Sequence, residues 1–267
     1  MNAGKRQFHP KSRFSRLRFP RQRPQPSGSL RADGDGAVIL YGWHTVSAAL
    51  ANPARHIRRL LVTENAMRRL ADEGLKFEGP LEVVRPDAIA ARLTPDAVHQ
   101  GLLAESDPLP SPDIEDLAAD GVVLVLDQIT DPHNVGAILR TAAAFAVTAI
   151  VTTARHSPEA TGVLAKSASG ALEWVPLAIV QNLARALAQL RERGFSVIGL
   201  DSEAPDDLAS MPLQRPLALA LGAEGKGLRQ GTRAACERLA RLDLPGAIKS
   251  LNVSNAAALA LYIASRA

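Results

Sequence analysis

Short apolar runs recur along the second half of the chain, and stretches with an apolar residue every three or four positions separate most of them. Short continuous runs are typical of buried strands, and the wider spacing is typical of amphipathic helices. The predicted strands are residues 122–126, 148–151, 177–180, 196–200, 217–221 and 239–244. The predicted helices are residues 135–145, 159–167, 182–193, 228–239 and 254–265. This alternation predicts an α/β fold in which helices cover a mostly parallel sheet.

The first half shows both patterns on a smaller scale. Strands are predicted at 57–62, 81–84 and 101–104, and helices at 46–50, 64–72 and 87–93. The stretch Asp107-Pro108-Leu109-Pro110-Ser111-Pro112 then predicts a stiff linker, because closely spaced prolines favour extended backbone. The predicted organisation has four parts: a basic arm at 1–36, a small α/β domain at 37–106, a proline-rich linker at 107–120 and a larger domain at 121–267.

Positive charge is concentrated at the start of the chain. Residues 1–36 contain nine Lys or Arg and two Asp, a net charge of +7, whereas the whole chain carries +4. Phe8, Phe14 and Phe19 lie among these basic residues. Arginines neutralise phosphates and aromatic rings stack on bases, so the arm suits contact with RNA. A disordered solubilising tail remains an alternative. So does an organelle transit peptide, although prolines interrupt any long amphipathic helix in the arm.

The composition excludes several classes of protein. With 46% hydrophobic and 22% charged residues, the chain is typical of globular proteins. No apolar run approaches the ~18 residues of a membrane span. The single cysteine, Cys236, excludes an internal disulfide and a cysteine-based zinc site. We therefore expect a cytoplasmic protein without a membrane span.

Three segments each follow a predicted strand and precede a helical stretch: residues 131–136, 222–227 and 242–255. They are rich in Gly, Asn and Ser, which allow close backbone approach and offer hydrogen-bond donors and acceptors. Ligands of open α/β sheets bind outside the carboxyl ends of the strands, so the three segments could converge on one crevice. No acidic cluster or His/Cys set suited to a metal accompanies them, which favours an organic cofactor.

Taken singly, these segments have simpler interpretations. Gly222-Ala223-Glu224-Gly225-Lys226-Gly227 matches neither a P-loop nor G-x-G-x-x-G, and could be only a tight turn between a strand and a helix. Arg140 follows Asn134 by less than two helical turns, where it would favour a phosphate or carboxylate. A lone arginine is more often a solvated surface residue. Ser254 could be only the N-cap of the last helix.

Considered together, the segments form an ordered set. They are Asp131-Pro132-His133-Asn134-Val135-Gly136-Ala137-Ile138-Leu139-Arg140-Thr141-Ala142, Leu221-Gly222-Ala223-Glu224-Gly225-Lys226-Gly227-Leu228, and Leu242-Asp243-Leu244-Pro245-Gly246 with Ser250-Leu251-Asn252-Val253-Ser254. In order and spacing they resemble the SpoU (TrmH) family of RNA ribose methyltransferases, within the knotted SPOUT class. Tyr41-Gly42 and His99-Gln100-Gly101 resemble the family's small substrate-binding domain, so the resemblance covers residues 38–267. It is closest to the bacterial branch that methylates a guanosine ribose in large-subunit ribosomal RNA.

The resemblance implies a trefoil-knotted fold, a homodimer, an RNA substrate, no metal, and S-adenosylmethionine bound among the three loops. The residues expected to bind the cofactor are Gly222, Leu242, Leu251, Leu221, Gly246 and Asn252. The residues expected to form the catalytic pocket are Arg140, Asn134, Glu224, Ser254 and Asn252.

Two side chains are candidates for assisting removal of the ribose proton. The resemblance nominates Arg140, but an arginine rarely releases a proton. We therefore expect Arg140 to clamp a phosphate and stabilise the developing alkoxide. His133 is the second candidate, because histidine ordinarily titrates near neutral pH.

Two other functions remain open from the sequence. One is a transfer-RNA ribose methyltransferase with the same chemistry. The other is a non-catalytic RNA-binding or ribosome-assembly protein. The presence of Arg140, Asn134, Glu224 and Asn252 favours an enzyme. By resemblance, the small first domain favours ribosomal RNA.

Overall fold

Two β-sheets form the framework of the structure, a computed structural model that describes residues 36–156 and 162–267. The strands are β1 Val38–Tyr41, β2 Ile57–Val62, β3 Leu81–Val83, β4 Leu102–Ser106, β5 Val122–Asp127, β6 Ala149–Thr153, β7 Leu177–Val180, β8 Ser196–Leu200, β9 Asp206–Asp207, β10 Leu217–Gly222 and β11 Arg238–Arg241. The α-helices are α1 Trp43–Ala51, α2 Glu64–Asp72, α3 Pro86–Ala90, α4 Pro132–Ala144, α5 Gly162–Ala168, α6 Leu183–Glu192, α7 Gln230–Ala235 and α8 Val253–Arg266.

The small sheet has the strand order β1-β4-β2-β3. Strand β4 runs antiparallel to β1 and β2, and β2 runs parallel to β3. Helices α1 and α2 bury Trp43, Val46 and Leu70 in one core cluster with this sheet. Ile89 of α3 packs against Leu61 in a separate cluster. Because successive strand residues point to opposite faces, helices can cover both sides of the small sheet.

The large sheet has the strand order β7-β6-β5-β10-β8-β11-β9, and all its pairings are parallel. Val122, Leu124 and Leu126 of β5 face the core that includes α4, α5 and α8. Val123 and Val125 face the core that includes α6. The sequence of a strand that is buried on both faces is typically an uninterrupted apolar run. The mostly parallel α/β fold predicted from the sequence is confirmed.

Two predicted boundaries near the third segment are wrong. The strand predicted at 239–244 is Arg238–Arg241, and the helix predicted at 228–239 is Gln230–Ala235. Leu239 pairs with Gly199 of β8 and is therefore part of the sheet. The spacing of the apolar residues around it nevertheless still fits a helix. Leu242 lies beyond the strand and packs by its side chain against the core. Sheet pairing therefore overrides helical spacing here.

Strands β1 and β9 were missed. Strand β1 has only four residues, and β9 consists of two aspartates that carry no apolar pattern. The helix predicted at 159–167 is Gly162–Ala168, and residues 159–161 of the predicted range lie outside the described residues. Residues 1–35 of the basic arm also lie outside them. None of the described helices is long and apolar enough to cross a membrane.

The second half of the predicted linker packs against the large sheet. Ile114 and Leu117 are buried in the core beneath α6. The backbone N–H of Ile179 on β7 donates to the Ser111 hydroxyl at 2.8 Å. The linker therefore packs along one face of the large sheet. Its role as a domain boundary stays a prediction.

Candidate active site

The three segments meet at the carboxyl edge of the large sheet. Strands β5 and β10 pair in register up to Asp127 and Gly222, so the first two segments start side by side. Glu224 Oε1 accepts hydrogen bonds from Asn252 Nδ2 at 2.6 Å and Asn134 Nδ2 at 3.4 Å. Asn252 Nδ2 also donates to Asn134 Oδ1 at 3.0 Å. One side chain from each segment thus belongs to a single polar cluster, which we call the three-loop cluster (Asn134, Glu224 and Asn252).

Asn252 is the N-cap of α8, which begins at Val253. Its Oδ1 accepts from the Ser254 backbone N–H at 2.9 Å and the Ser254 hydroxyl at 2.6 Å. The Val253 N–H donates to Glu224 Oε1 at 3.1 Å. The suggestion that Ser254 caps this helix is therefore wrong, because the cap lies two residues earlier. Ser254 instead fixes the orientation of the Asn252 amide.

The glycines of the second segment are required by a tight turn. A Cβ on Gly222 would lie 2.0 Å from the carbonyl carbon of Gly227 and 2.3 Å from Leu228 N. The turn is closed by a hydrogen bond from Gly227 N to Ala223 O at 2.8 Å. Gly225 has a φ of 73°, a left-handed conformation that favours glycine. This turn holds Glu224 next to the other two segments.

An ion pair between a buried carboxylate and a partly exposed arginine, which was not predicted from the sequence, anchors this turn to β5. The Asp127 carboxylate is fully buried and accepts from Arg229 N at 2.9 Å and Arg229 Nε at 2.7 Å. Buried charges require partners, because desolvation of an unpaired charge is costly. The signal was an acidic residue ending an otherwise apolar strand, but the sequence did not identify its partner.

Arg140 and His133 lie on α4 but outside the three-loop cluster. Arg140 is exposed and makes no hydrogen bond or ion pair with another described residue. His133 Nδ1 and the Ser167 hydroxyl of α5 are 3.1 Å apart, in hydrogen-bond contact. The Asp131 carboxylate caps α4 by accepting from His133 N at 2.9 Å. The structure therefore places both candidates on the helix that carries Asn134, without joining either to the cluster.

The predicted cofactor-binding residues differ in exposure. Leu221 is buried in the core, so only its backbone can face a ligand. Leu242 is half-buried, and Leu251 is 38% exposed beside Asn252. Gly246 has open space where a Cβ would lie. The loops thus offer an apolar side chain and accessible backbone next to polar groups, an arrangement that suits a ligand with an apolar face and a polar edge.

Two other concavities lie away from the three-loop cluster. Asn182 and Arg229 help to line one of about 190 Å³, and Leu50 and Phe77 help to line one of about 320 Å³. Neither is lined by a residue of the cluster. Within residues 36–156 and 162–267, no group of three or more His, Cys, Asp or Glu is arranged to hold a metal ion.

Comparison with known proteins identifies the class that this fold and this site define. Residues 121–262 match the SpoU rRNA Methylase family, and residues 39–112 match the family of RNA 2′-O ribose methyltransferase substrate-binding domains. The two matches together define an RNA ribose methyltransferase. The chain belongs to the SpoU rRNA methylase family, which confirms the resemblance found in its three segments.

Curated relatives cover most of the chain. It is 37% identical over 238 residues to the 23S rRNA (guanosine-2′-O-)-methyltransferase RlmB of Pseudomonas putida, covering 85% of this chain and 95% of the relative. Identity is 39% over 236 residues to the RlmB of Ralstonia nicotianae, with the same coverage.

Solved structures share the fold. The SpoU methyltransferase AviRb from Streptomyces viridochromogenes, in complex with AdoMet, matches with a TM-score of 0.75 and 22% identity over 86% of this chain and 90% of that one. An AdoMet-bound rRNA methyltransferase from Sinorhizobium meliloti matches with a TM-score of 0.74 and 21% identity, over 86% and 87% of the two chains.

Proposed function

We propose that this protein transfers the methyl group of S-adenosylmethionine to the 2′-hydroxyl of a guanosine ribose in large-subunit ribosomal RNA. The observation that carries the proposal is the three-loop cluster, because it joins the family's three segments into one site. The RlmB relatives from two bacteria support the choice of guanosine and ribosomal RNA. A transfer-RNA substrate and a non-catalytic RNA-binding role are the alternatives that experiment must exclude.

The three loops fit S-adenosylmethionine as the methyl donor. Backbone groups around Gly222, Leu242 and Leu251 hold its adenosine part, and exposed Leu251 supplies apolar contact. Leu221 contributes only backbone, and Gly246 leaves room for the ligand. When bound, the cofactor supplies a methyl group made electrophilic by its sulfonium. The AdoMet complexes of proteins with the same fold support this assignment.

The hydrogen bonds show which polar groups of the cluster are occupied within it and which remain available to a ligand. Asn252 uses both amide hydrogens and both oxygen lone pairs on Asn134, Glu224 and Ser254. Its contribution to cofactor binding is therefore through its backbone. Glu224 Oε2 has no hydrogen bond from another described residue, and Asn134 keeps one amide hydrogen. We assign Glu224 and Asn134 to orient the reactants, with Asn252 and Ser254 holding them in place.

Arg140 faces the incoming RNA in this proposal. Its guanidinium offers donors that no other described residue uses, which suits a phosphate clamp and stabilisation of the developing alkoxide. His133 is the second candidate for accepting the proton. Its Nδ1 is in contact with Ser167, which leaves Nε2 available. A general base contributes roughly 10²–10⁴ in rate, so a loss below about tenfold in His133→Ala eliminates this candidate.

The same proposal includes features of the whole molecule. The larger domain at 121–267 forms a trefoil knot, and the small domain at 37–106 binds the RNA substrate, as the family match at 39–112 supports. The protein acts as a homodimer in the cytoplasm, and the basic arm at 1–36 adds affinity for RNA.

Mapping of ribose methylation decides between the alternatives. RNA from cells with and without the gene is compared at every 2′-O-methylated position of ribosomal and transfer RNA. We expect loss of one 2′-O-methylguanosine in large-subunit ribosomal RNA, restored by the wild-type protein and not by Glu224→Gln. Loss confined to transfer RNA selects the transfer-RNA enzyme. No loss, together with no calorimetric binding of S-adenosylhomocysteine, selects the non-catalytic protein.

A further inference from the structure

Residues 162–174 contact both sheets, and we call them the connecting segment. Leu164 and Ala168 of α5 are buried in the core of the large sheet. Ala165, on the same helix, is buried in the core of the small sheet. The Thr45 hydroxyl of α1 donates to the Ala165 carbonyl at 3.2 Å, in a buried position. One short helix thus contributes to both hydrophobic cores.

A buried ion pair fastens the end of the connecting segment to the small sheet. Arg55 Nη2 and Glu173 Oε1 are 2.6 Å apart, and their side chains are only 4% and 2% exposed. Arg55 Nε donates to both Glu173 oxygens, at 3.2 and 3.1 Å. Asn52 Nδ2 donates to Glu173 Oε2 at 2.8 Å, and Arg55 Nη1 donates to the Asp107 carbonyl at 2.8 Å. Both charges therefore have several partners.

The energetics of a buried ion pair favour a role in fixing the relative position of its two partners over a role in stabilising the fold. Desolvation of two charges offsets much of their attraction, so a buried ion pair often adds little net stability over an apolar replacement. Its bidentate hydrogen bonds nevertheless allow only one relative placement of the two partners. Asn52 and Arg55 follow α1, whereas Glu173 belongs to the connecting segment. The pair therefore fixes the small sheet against the large one.

The other side of the connecting segment contacts the candidate active site. Ser167 is in hydrogen-bond contact with His133, next to Asn134 of the three-loop cluster. A Cβ on Gly136 would lie 2.3 Å from Ser167 Cβ, so α5 and α4 pack closely at this point. A continuous set of contacts thus runs from Arg55 through the connecting segment to the first turns of α4.

We propose that Arg55 and Glu173 are positioning residues, which hold the RNA-binding small sheet at one fixed placement relative to the methyl-transfer site. RNA bound to the small sheet then presents its ribose at the three-loop cluster. This inference rests on the proposed function. It adds that the affinity for productive RNA depends on a contact that touches neither RNA nor cofactor.

Distance measurement tests the placement independently of activity. Spin labels at Met67→Cys and Ala188→Cys report the distance between the sheets, in samples diluted with unlabelled protein. Both positions are exposed. We expect one narrow distance in the parent protein and a broad distribution in Arg55→Met. The matched control is Arg238→Met, which breaks an exposed ion pair with Asp206 within the large sheet. A narrow distribution in Arg55→Met would overturn the proposal.

Kinetics test the consequence for RNA. In Arg55→Met we expect the KM for RNA to rise about tenfold or more, because RNA then binds productively only to the fraction of molecules whose sheets have the right placement. The kcat at saturating RNA and the affinity for S-adenosylhomocysteine should stay within about twofold of the parent values. An equal loss of cofactor affinity contradicts a positioning role, because it shows that the large sheet is itself disturbed. Unchanged KM contradicts the proposal as well.

A second variant covers the case in which Arg55→Met leaves Glu173 unpaired and the protein unfolds. Arg55→Met/Glu173→Leu replaces the pair by apolar groups and should fold. We expect this protein to melt normally while showing the broad distance distribution and raised KM. Parent-like values for both measurements would overturn the proposal. A parent protein without methyl transfer refutes the proposed function instead, and the distance measurement still decides whether the ion pair fixes the sheets.

Discussion

Arg140 extends from α4 without a hydrogen bond or ion pair to any other residue of the described chain. Its replacement by alanine should therefore leave the fold and cofactor binding intact. We expect Arg140→Ala to lower kcat by about 10² or more, because donors aimed at developing negative charge contribute on that order. Transfer of a radiolabelled methyl group to RNA measures the loss, and calorimetry with S-adenosylhomocysteine confirms an intact site. Arg191→Ala on α6 is the matched control, and full activity in Arg140→Ala refutes the catalytic role.

Cys236 should be an unreactive thiol. Burial, and secondarily the negative charge of Asp127, raises its pKa to about 11. At pH 8 only about one thiol in a thousand is then ionised, and the thiolate is the nucleophile. We expect alkylation by iodoacetamide to be more than about a hundredfold slower than for a free cysteine, and to become fast after denaturation. Rapid labelling of the native protein would contradict the raised pKa of this thiol.

The residues of the site could be predicted from the sequence, whereas most of their hydrogen-bond and ion-pair partners could not. Asn134, Glu224 and Asn252 could be singled out because their spacing matches a family pattern, and the structure brings them together. The pairing of Asp127 with Arg229 could not be foreseen. Two residues a hundred positions apart meet only because the turn after β10 folds back onto β5. Hydrogen-bond partners are a tertiary property that local patterns do not encode.

At the scale of elements, Gly222 is where a single methyl group should disturb the site. The added Cβ of Gly222→Ala would lie 2.0 Å from the backbone of Gly227, so the turn that carries Glu224 must shift. We expect a loss of roughly 1–3 kcal/mol in stability, typical of overpacking against backbone. Chemical denaturation measures this loss, and calorimetry should show weakened cofactor binding.

Gly231→Ala is the matched control for this prediction. It adds the same methyl group on helix α7, where nothing lies within 4 Å. Alanine is favoured over glycine inside a helix, so the control should be neutral or slightly more stable. Equal destabilisation in both variants would show that the close contact at Gly222 is not the cause.

Strand prediction succeeded where burial on the sheet dominates. Ile57–Val62, Leu177–Val180 and Ser196–Leu200 have the predicted bounds. Prediction was wrong at β11, where Leu239 satisfies both a helical and a strand pattern. Only its pairing with β8 decides between them. Local spacing therefore fixes an element when one pattern is present and fails when two patterns overlap.

At the scale of the molecule, the sequence predicted two α/β parts but not the contact between them. The pattern of helix α5 indicates only an amphipathic helix, and nothing in the local sequence marks Glu173 as buried. In the structure Ala165 lies in one core and Leu164 in the other, and Glu173 is buried against Arg55. A helix contributes to two cores only when the two parts of the chain pack against each other. That packing depends on residues throughout the chain and not on the local pattern of the helix.

The proposed homodimer can be tested on helix α8. Ala257 and Leu261 of this helix are buried in the protein's own core, whereas Tyr262 is 55% exposed. The apolar stripe of this helix (Ala257, Leu259, Leu261 and Tyr262) is thus mostly a core face, and Tyr262 is its exposed member. If Tyr262 lies in the dimer interface, a charge there must be desolvated without a partner, which is costly.

We expect Tyr262→Asp to convert the dimer to a monomer at micromolar concentration, measured by light scattering, with little change in the melting of the protomer. Arg191→Asp, on α6 at the other face of the large sheet, should leave the dimer intact, since its exposed ion pair with Glu237 contributes little. A monomeric parent protein would refute the dimer itself. A dimeric Tyr262→Asp protein would place the interface on another surface.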